Sequence, residues 1–123
     1  MSLNFSKEIY DDVVVEIIEL TRATLQEAQE FKNILSEDIN KNYLKFVVDL
    51  KECEFIDSTF LSTLVTTLKL LLSKGGNIKL SSANSEVQSL LELTGTHHIF
   101  EIFKTRREAV DSYSNEIKGK KTA

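Results

Sequence analysis

Ser58 stands between Asp57 and Thr59, where an apolar stretch, Cys53-Glu54-Phe55-Ile56, gives way to a helical pattern. A serine at a strand-to-helix turn is placed to act as a nucleophile, but it then needs a base and a group that orients the base. Neither is supplied locally. The Gly-x-Ser-x-Gly elbow is absent, with Ile56 and Phe60 in the flanking places. The only histidines are the adjacent pair His97-His98 near a strand start. Neighbours on a strand point to opposite faces, so the two are not expected to share a ligand. Gly75-Gly76 is not followed by a Lys-Ser or Lys-Thr pair and closes a helix rather than opening one, which excludes a phosphate loop. Cys53 is the single cysteine, so it can form neither an intrachain disulfide nor a zinc site alone. A small buried apolar residue is its expected role.

The Asp57-Ser58-Thr59 junction therefore carries what chemistry there is. Two readings are open. Asp, Ser and Thr are all good helix N-caps, and the triplet could do no more than satisfy first-turn amides. Alternatively, a hydroxyl beside those amides lies in a positive local field that tolerates an added phosphate, which would bring about two negative charges.

The elements that must position this junction follow from the pattern. Residues 4–9 alternate and read as an edge strand; Val13 to Ile18 is rich in β-branched residues and reads as a second. Thr24 and Glu27 form a capping box for a helix through residue 38, with Leu25, Ala28, Phe31 and Leu35 on its apolar side. Residues 43–50 read as a buried strand. The helix after Asp57 places Leu61, Leu64, Val65, Leu68, Leu71 and Leu72 on one core-facing stripe and ends at Gly75-Gly76. Then come a strand at 77–80, a helix from Asn84-Ser85 to Gly95, a strand at 99–103, and a final helix opened by a Thr105–Glu108 capping box. The order β-β-α-β-α-β-α-β-α predicts an α/β fold with a mixed, mostly parallel sheet and right-handed crossovers.

At 123 residues, with 41% hydrophobic and 28% charged residues, the chain fits one domain able to bury a real core. We assign residues 1–115 to that domain and expect a disordered, polar basic tail over 116–123, which holds Lys118, Lys120 and Lys121. A net charge of -4 argues against nucleic acid as a direct partner. The start lacks a secretory pattern, and apolar runs such as Leu70-Leu71-Leu72 are far too short for membrane insertion. With one cysteine, these features point to the cytoplasm, and nothing calls for a cofactor or metal.

The stretch Phe55-Ile56-Asp57-Ser58-Thr59-Phe60-Leu61-Ser62 resembles the phosphorylation-site motif of the STAS family of anti-sigma-factor antagonists. The resemblance runs from about residue 3 to residue 115. It takes in Lys45 to Leu50, Lys74-Gly75-Gly76-Asn77-Ile78-Lys79-Leu80, Leu90-Leu91-Glu92-Leu93-Thr94-Gly95 and Ile99-Phe100-Glu101-Ile102-Phe103. It implies a single STAS domain that is not an enzyme. It also implies a transcription regulator working by partner switching, whose unmodified form binds an anti-sigma factor and so frees a sigma factor. The anti-sigma factor is itself a serine kinase, and a metal-dependent serine phosphatase reverses its action. By position, Ser58 would be the phosphorylated residue and Asp57 and Thr59 its neighbours. The alternative within the family is a scaffold subunit of a sensory or transporter-associated complex that is never phosphorylated.

Two departures stand out. Phe60 and Ser62 occupy places where the family usually has glycines, and the loop Glu19-Leu20-Thr21-Arg22-Ala23-Thr24 lacks the usual Gly and Asp. The expected partner surface comprises Asp57, Ser58 and Thr59, the exposed helix side with Phe60, Thr63 and Thr67, and the loop residues Thr21, Arg22 and Thr24. Phe60 falls outside the Leu61–Leu64–Val65–Leu68 stripe. It is therefore expected to be partly exposed, as a partner anchor or packed on the Leu20–Thr24 loop.

Overall fold

A computed structural model describes residues 2–122, with side chains described for residues 2–114. Seven strands and four helices follow in the order β1 (Phe5–Tyr10), β2 (Val13–Ile18), β3 (Arg22–Ala23), α1 (Leu25–Asn40), β4 (Lys45–Asp49), β5 (Phe55–Ile56), α2 (Ser58–Ser73), β6 (Asn77–Ser81), α3 (Ser85–Thr94), β7 (Glu101–Phe103) and α4 (Arg106–Thr122). The expected order of long elements is the order observed. The two additions are β3 and β5, two-residue strands too short to leave a periodic signal.

The main sheet runs β1-β2-β4-β6-β7. β1 is antiparallel to β2, and the other neighbours are parallel. β2 is buried along its whole length because both sheet faces are covered. Its even positions Val14 and Ile18 join the large core beneath α1, α2 and α3; its odd positions Val13, Val15 and Ile17 meet Ala109 and Tyr113 of α4. That alternation is the two-residue period of a strand. Thr105 caps α4 through the Glu108 amide at 3.1 Å, and the Tyr113 hydroxyl donates to the Phe46 carbonyl at 2.7 Å, so α4 is tied to the middle of the sheet. The side chains of the 116–123 segment lie outside those described.

The α2–β6 turn needs both of its glycines. Gly75 has φ of 84°, where a Cβ is strained, and a Cβ on Gly76 would come within 2.2 Å of the Leu44 carbonyl oxygen. β6 can thereby start beside β4 directly after the helix.

Three local expectations are corrected. Leu72 is 54% exposed and Leu25 66% exposed, so neither is a core residue. The last strand is shorter than 99–103, because Thr96–His98 form a single 3-10 turn and the Ile99 and Phe100 amides are still bonded back to the Thr96 carbonyl. In that turn His97 and His98 do not diverge as strand neighbours would: their ring centroids are 3.9 Å apart, with His97 Nδ1 3.3 Å from the Leu91 carbonyl.

Candidate functional site

Three helix starts meet at the carboxyl ends of the strands, and Asp57 joins two of them. Its Oδ1 accepts the Phe60 amide at 2.8 Å, capping α2, and its Oδ2 accepts the Leu25 amide at 2.9 Å, capping the first residue of α1. α1 has its own cap as well, the expected Thr24–Glu27 box. α3 starts at Asn84, whose Oδ1 accepts from Val87 at 2.8 Å while its amide nitrogen donates to the Glu54 carbonyl at 3.2 Å. Each cap satisfies an amide that has no partner inside its own helix.

The two-residue strands bring the Leu20–Thr24 loop to this point. β3 and β5 pair in parallel, Arg22 with Phe55 and Ala23 with Ile56. The Thr21 carbonyl accepts from Glu54 and Phe55 at 2.8 and 3.1 Å, and the Asp57 amide donates to Ala23 at 3.2 Å. The Arg22 guanidinium lies 4.2 Å above the Phe55 ring, a cation–π contact on the protein surface. Thr21, Arg22, Thr24, Asp57, Ser58 and Thr59 are thus brought together. The sequence pattern does not announce this, because β3 and β5 exist only through their pairing with each other.

Ser58 is the first residue of α2 and is exposed, as is Thr59. Asp57 takes the Phe60 amide with its side chain and the Leu61 amide with its carbonyl. The amides of Ser58 and Thr59 remain as the turn's outward donors, and the helix dipole adds to their positive field. This arrangement can hold an anion at Ser58. It is poorly suited to nucleophilic catalysis, since both carboxylate oxygens of Asp57 are engaged by backbone amides and neither is free to act as a base. Cys53 beneath the site is buried, and that burial pushes its thiol up, away from reactivity. Among the described residues no cluster of His, Cys, Asp or Glu could hold a metal.

Phe60 corrects the expectation of exposure. It is 0% exposed, 5.1 Å from the Phe31 ring and 6.4 Å from Phe5, which in turn lies 4.8 Å from Phe31. It is neither a surface anchor nor a lid on the loop: it is the α2 member of an aromatic cluster between β1 and α1. The buried stripe of α2 is Phe60, Leu61, Leu64, Thr67, Leu68 and Leu71. The spacing 60-64-67-71 is helical, so the sequence carried this signal; it was hidden because Thr67 is polar and Leu72 apolar. Thr67 is only 8% exposed, and its hydroxyl is turned back on the Thr63 carbonyl at 2.9 Å. Thr63 is half-buried one turn from Thr59.

Two surface features escaped the sequence. Leu25, exposed at the first position of α1, lies beside Asp57. A shallow groove of about 310 Å³ runs between β5 and α3, with Phe55, Ile56, Val87 and Leu90 as its apolar walls and Glu86 at its edge. A larger depression, about 1080 Å³, lies on the α4 side, away from Ser58. Its charges are largely paired already: Lys45 with Asp12 at 2.9 Å and Arg106 with Asp49 at 2.6 Å. The smaller groove is walled in part by β5, the strand that leads into the Ser58 junction.

The STAS domain model matches residues 4–109. A protein of Thermotoga maritima described as a "putative anti-sigma factor antagonist" is 35% identical over 108 residues, spanning 87% of this chain and 95% of that protein. The crystal structure of such a protein from the same organism superposes with a TM-score of 0.80 at 34% identity, covering 88% of this chain and 92% of that one. The anti-sigma factor antagonist SpoIIAA in its unphosphorylated form shares the fold, with a TM-score of 0.80 at 16% identity over 90% of this chain and 96% of its own. SpoIIAA in its phosphorylated form gives a TM-score of 0.72 at 15% identity over 89% and 98% of the two chains. With the family model spanning the whole sheet and a relative of this identity covering most of the chain, the protein belongs to the STAS family, among the anti-sigma factor antagonists.

Proposed function

We propose that this protein binds an anti-sigma factor in its unmodified form and is switched off by phosphorylation of Ser58. The observation that carries the reading is an exposed serine hydroxyl at the first position of α2, beside two outward amides, in a frame that Asp57 fixes to α1. The anti-sigma factor, a serine kinase, transfers the γ-phosphoryl of ATP to Ser58 Oγ: the new P–O bond forms as the γ-phosphorus parts from the β–γ bridging oxygen, and ADP and the hydroxyl proton are released. The phosphate is taken up by the Ser58 and Thr59 amides, so the fold has no cause to change. Binding is lost through charge and bulk, because a dianion at the centre of an interface must give up its hydration. A serine phosphatase restores the hydroxyl. The surface the partner meets comprises Ser58, Thr59, Thr63, Thr21, Arg22 and Thr24, together with Leu25 and the Phe55–Leu90 groove.

The burial of Phe60 supports this reading. The residue that replaces the family's usual glycine points into the core and leaves the face beside Ser58 open to a kinase. The test is phosphopeptide mapping after incubation with ATP and the serine-kinase anti-sigma factor of the same organism. Label on Ser58, absent from Ser58→Ala, is the expected result. Label on Thr59 or Thr63 with none on Ser58 overturns it. Partner binding with no label at all assigns the protein to the scaffold class instead.

A further inference from the structure

At the far end of α1 from Ser58, two carboxyl groups are buried together, with the partly exposed Lys7 side chain closing over them from the edge strand. Glu16 lies on β2, whose register sets it opposite Lys7 of β1 and Val48 of β4. Asp38, near the end of α1, comes down over the same spot. Glu16 and Asp38 are each 1% exposed. Glu16 Oε2 and Asp38 Oδ2 have no hydrogen-bond partner among the described residues. The Lys7 ammonium bonds to Asp38 Oδ1 and stands 3.5 Å from Glu16 Oε2. Among the described residues no further ion pair reaches Glu16 or Asp38. β4 presents Phe46 and Val48, α1 adds Leu35, and the half-buried Tyr43 packs onto the same core. Glu8 of β1 points to the opposite sheet face, where it pairs with Arg106.

We propose that Glu16 and Asp38 share one proton, with Lys7 balancing the single remaining charge, so that the packing of β1 and the end of α1 on the sheet is a pH-sensitive latch. Two buried carboxylates and one ammonium would leave an uncompensated negative charge in the core, whereas one carboxylate, one carboxyl and one ammonium are neutral together. The carboxyl that keeps the proton is Glu16. Burial pushes it up to about 9, the neighbouring Asp38 carboxylate adds to this, and Lys7 pulls the other way without prevailing. Lys7 is itself raised: burial pulls it down, but Asp38 and Glu16 outweigh that. Its ammonium therefore stays charged as the cluster titrates.

The sign follows from linkage. Between the ordinary carboxyl range and about 9, the folded chain holds a proton that the unfolded chain has released. The favourable state is fully present below that window and is lost as pH rises through it. The unfolding equilibrium constant should rise by as much as about tenfold per pH unit, one proton's worth. The experiment is denaturant unfolding of the whole chain from pH 5 to 9, for wild type and Glu16→Gln. Glutamine keeps a neutral hydrogen-bond donor in place of the protonated carboxyl. The wild type should lose stability with rising pH and Glu16→Gln should not; equal slopes overturn the proposal. Carbon NMR of the Glu16 side-chain carboxyl in the wild type tests it without any variant. Titration near 9 supports the shared proton, and titration in the ordinary carboxyl range rejects it.

Discussion

The two ends of α1 meet carboxylates in opposite ways. At its start, Asp57 gives both oxygens to backbone amides, one from α1 and one from α2. At its end, Glu16 and Asp38 are buried against each other, each with an oxygen that has no partner among the described residues. A carboxylate is content as an anion where helix dipoles and free amides converge. The same group in an apolar interior, beside a second acid, keeps a proton instead. The first arrangement leaves a surface hydroxyl in a rigid, positive setting. The second makes the protein's stability depend on pH far from that surface.

Substitutions at the two ends of α1 should have separable effects on stability and binding. The largest effect is expected at Phe60, which holds the start of α2 against Phe31 and Phe5. Phe60→Ala should cost about 3–5 kcal/mol in denaturant unfolding, as truncation of a buried aromatic does. Were Phe60 a binding anchor, affinity would fall while stability held. Next is the pH dependence of the far end. Between pH 7 and 9 the wild type should lose about 2 kcal/mol relative to Glu16→Gln, a loss set by the proton held on Glu16. Asp57→Ala removes a cap from two helices at once and should cost about 1–2 kcal/mol, whereas most single caps are worth about 1. Asp57→Asn keeps one acceptor oxygen and should lose about half of that. Smallest of all is Ser58→Asp, expected to stay within about 0.5 kcal/mol of wild type because the residue is exposed. Its affinity for the anti-sigma factor should nevertheless fall by at least about tenfold, equivalent to about 1.4 kcal/mol. Equal losses in affinity and melting temperature would mean that the substitution acts by unfolding.

Much of the frame was legible in the residues. β-branched runs mark β2 and β4, the Thr24–Glu27 and Thr105–Glu108 boxes mark the starts of α1 and α4, and Gly75-Gly76 marks the end of α2. These are local signals, written within one or two turns of chain, and the alternation of strands and helices then dictates a mostly parallel sheet. Ser58 at a strand-to-helix junction was visible for the same reason. The tertiary structure decided which way the ambiguous side chains turn and what the distant ones meet. Phe60 faces inward because α1 and β1 offer an aromatic pocket there, and Thr67 is buried with its hydroxyl turned back on its own helix, while Leu72 and Leu25 face outward although they are leucines. The Arg22–Phe55 pairing, the double cap at Asp57 and the Lys7–Glu16–Asp38 cluster each join residues that are about 30 positions apart or lie on different elements. Hydrophobic period and capping preference describe one segment at a time, so they cannot specify a contact whose two halves acquire meaning only when the sheet brings them together.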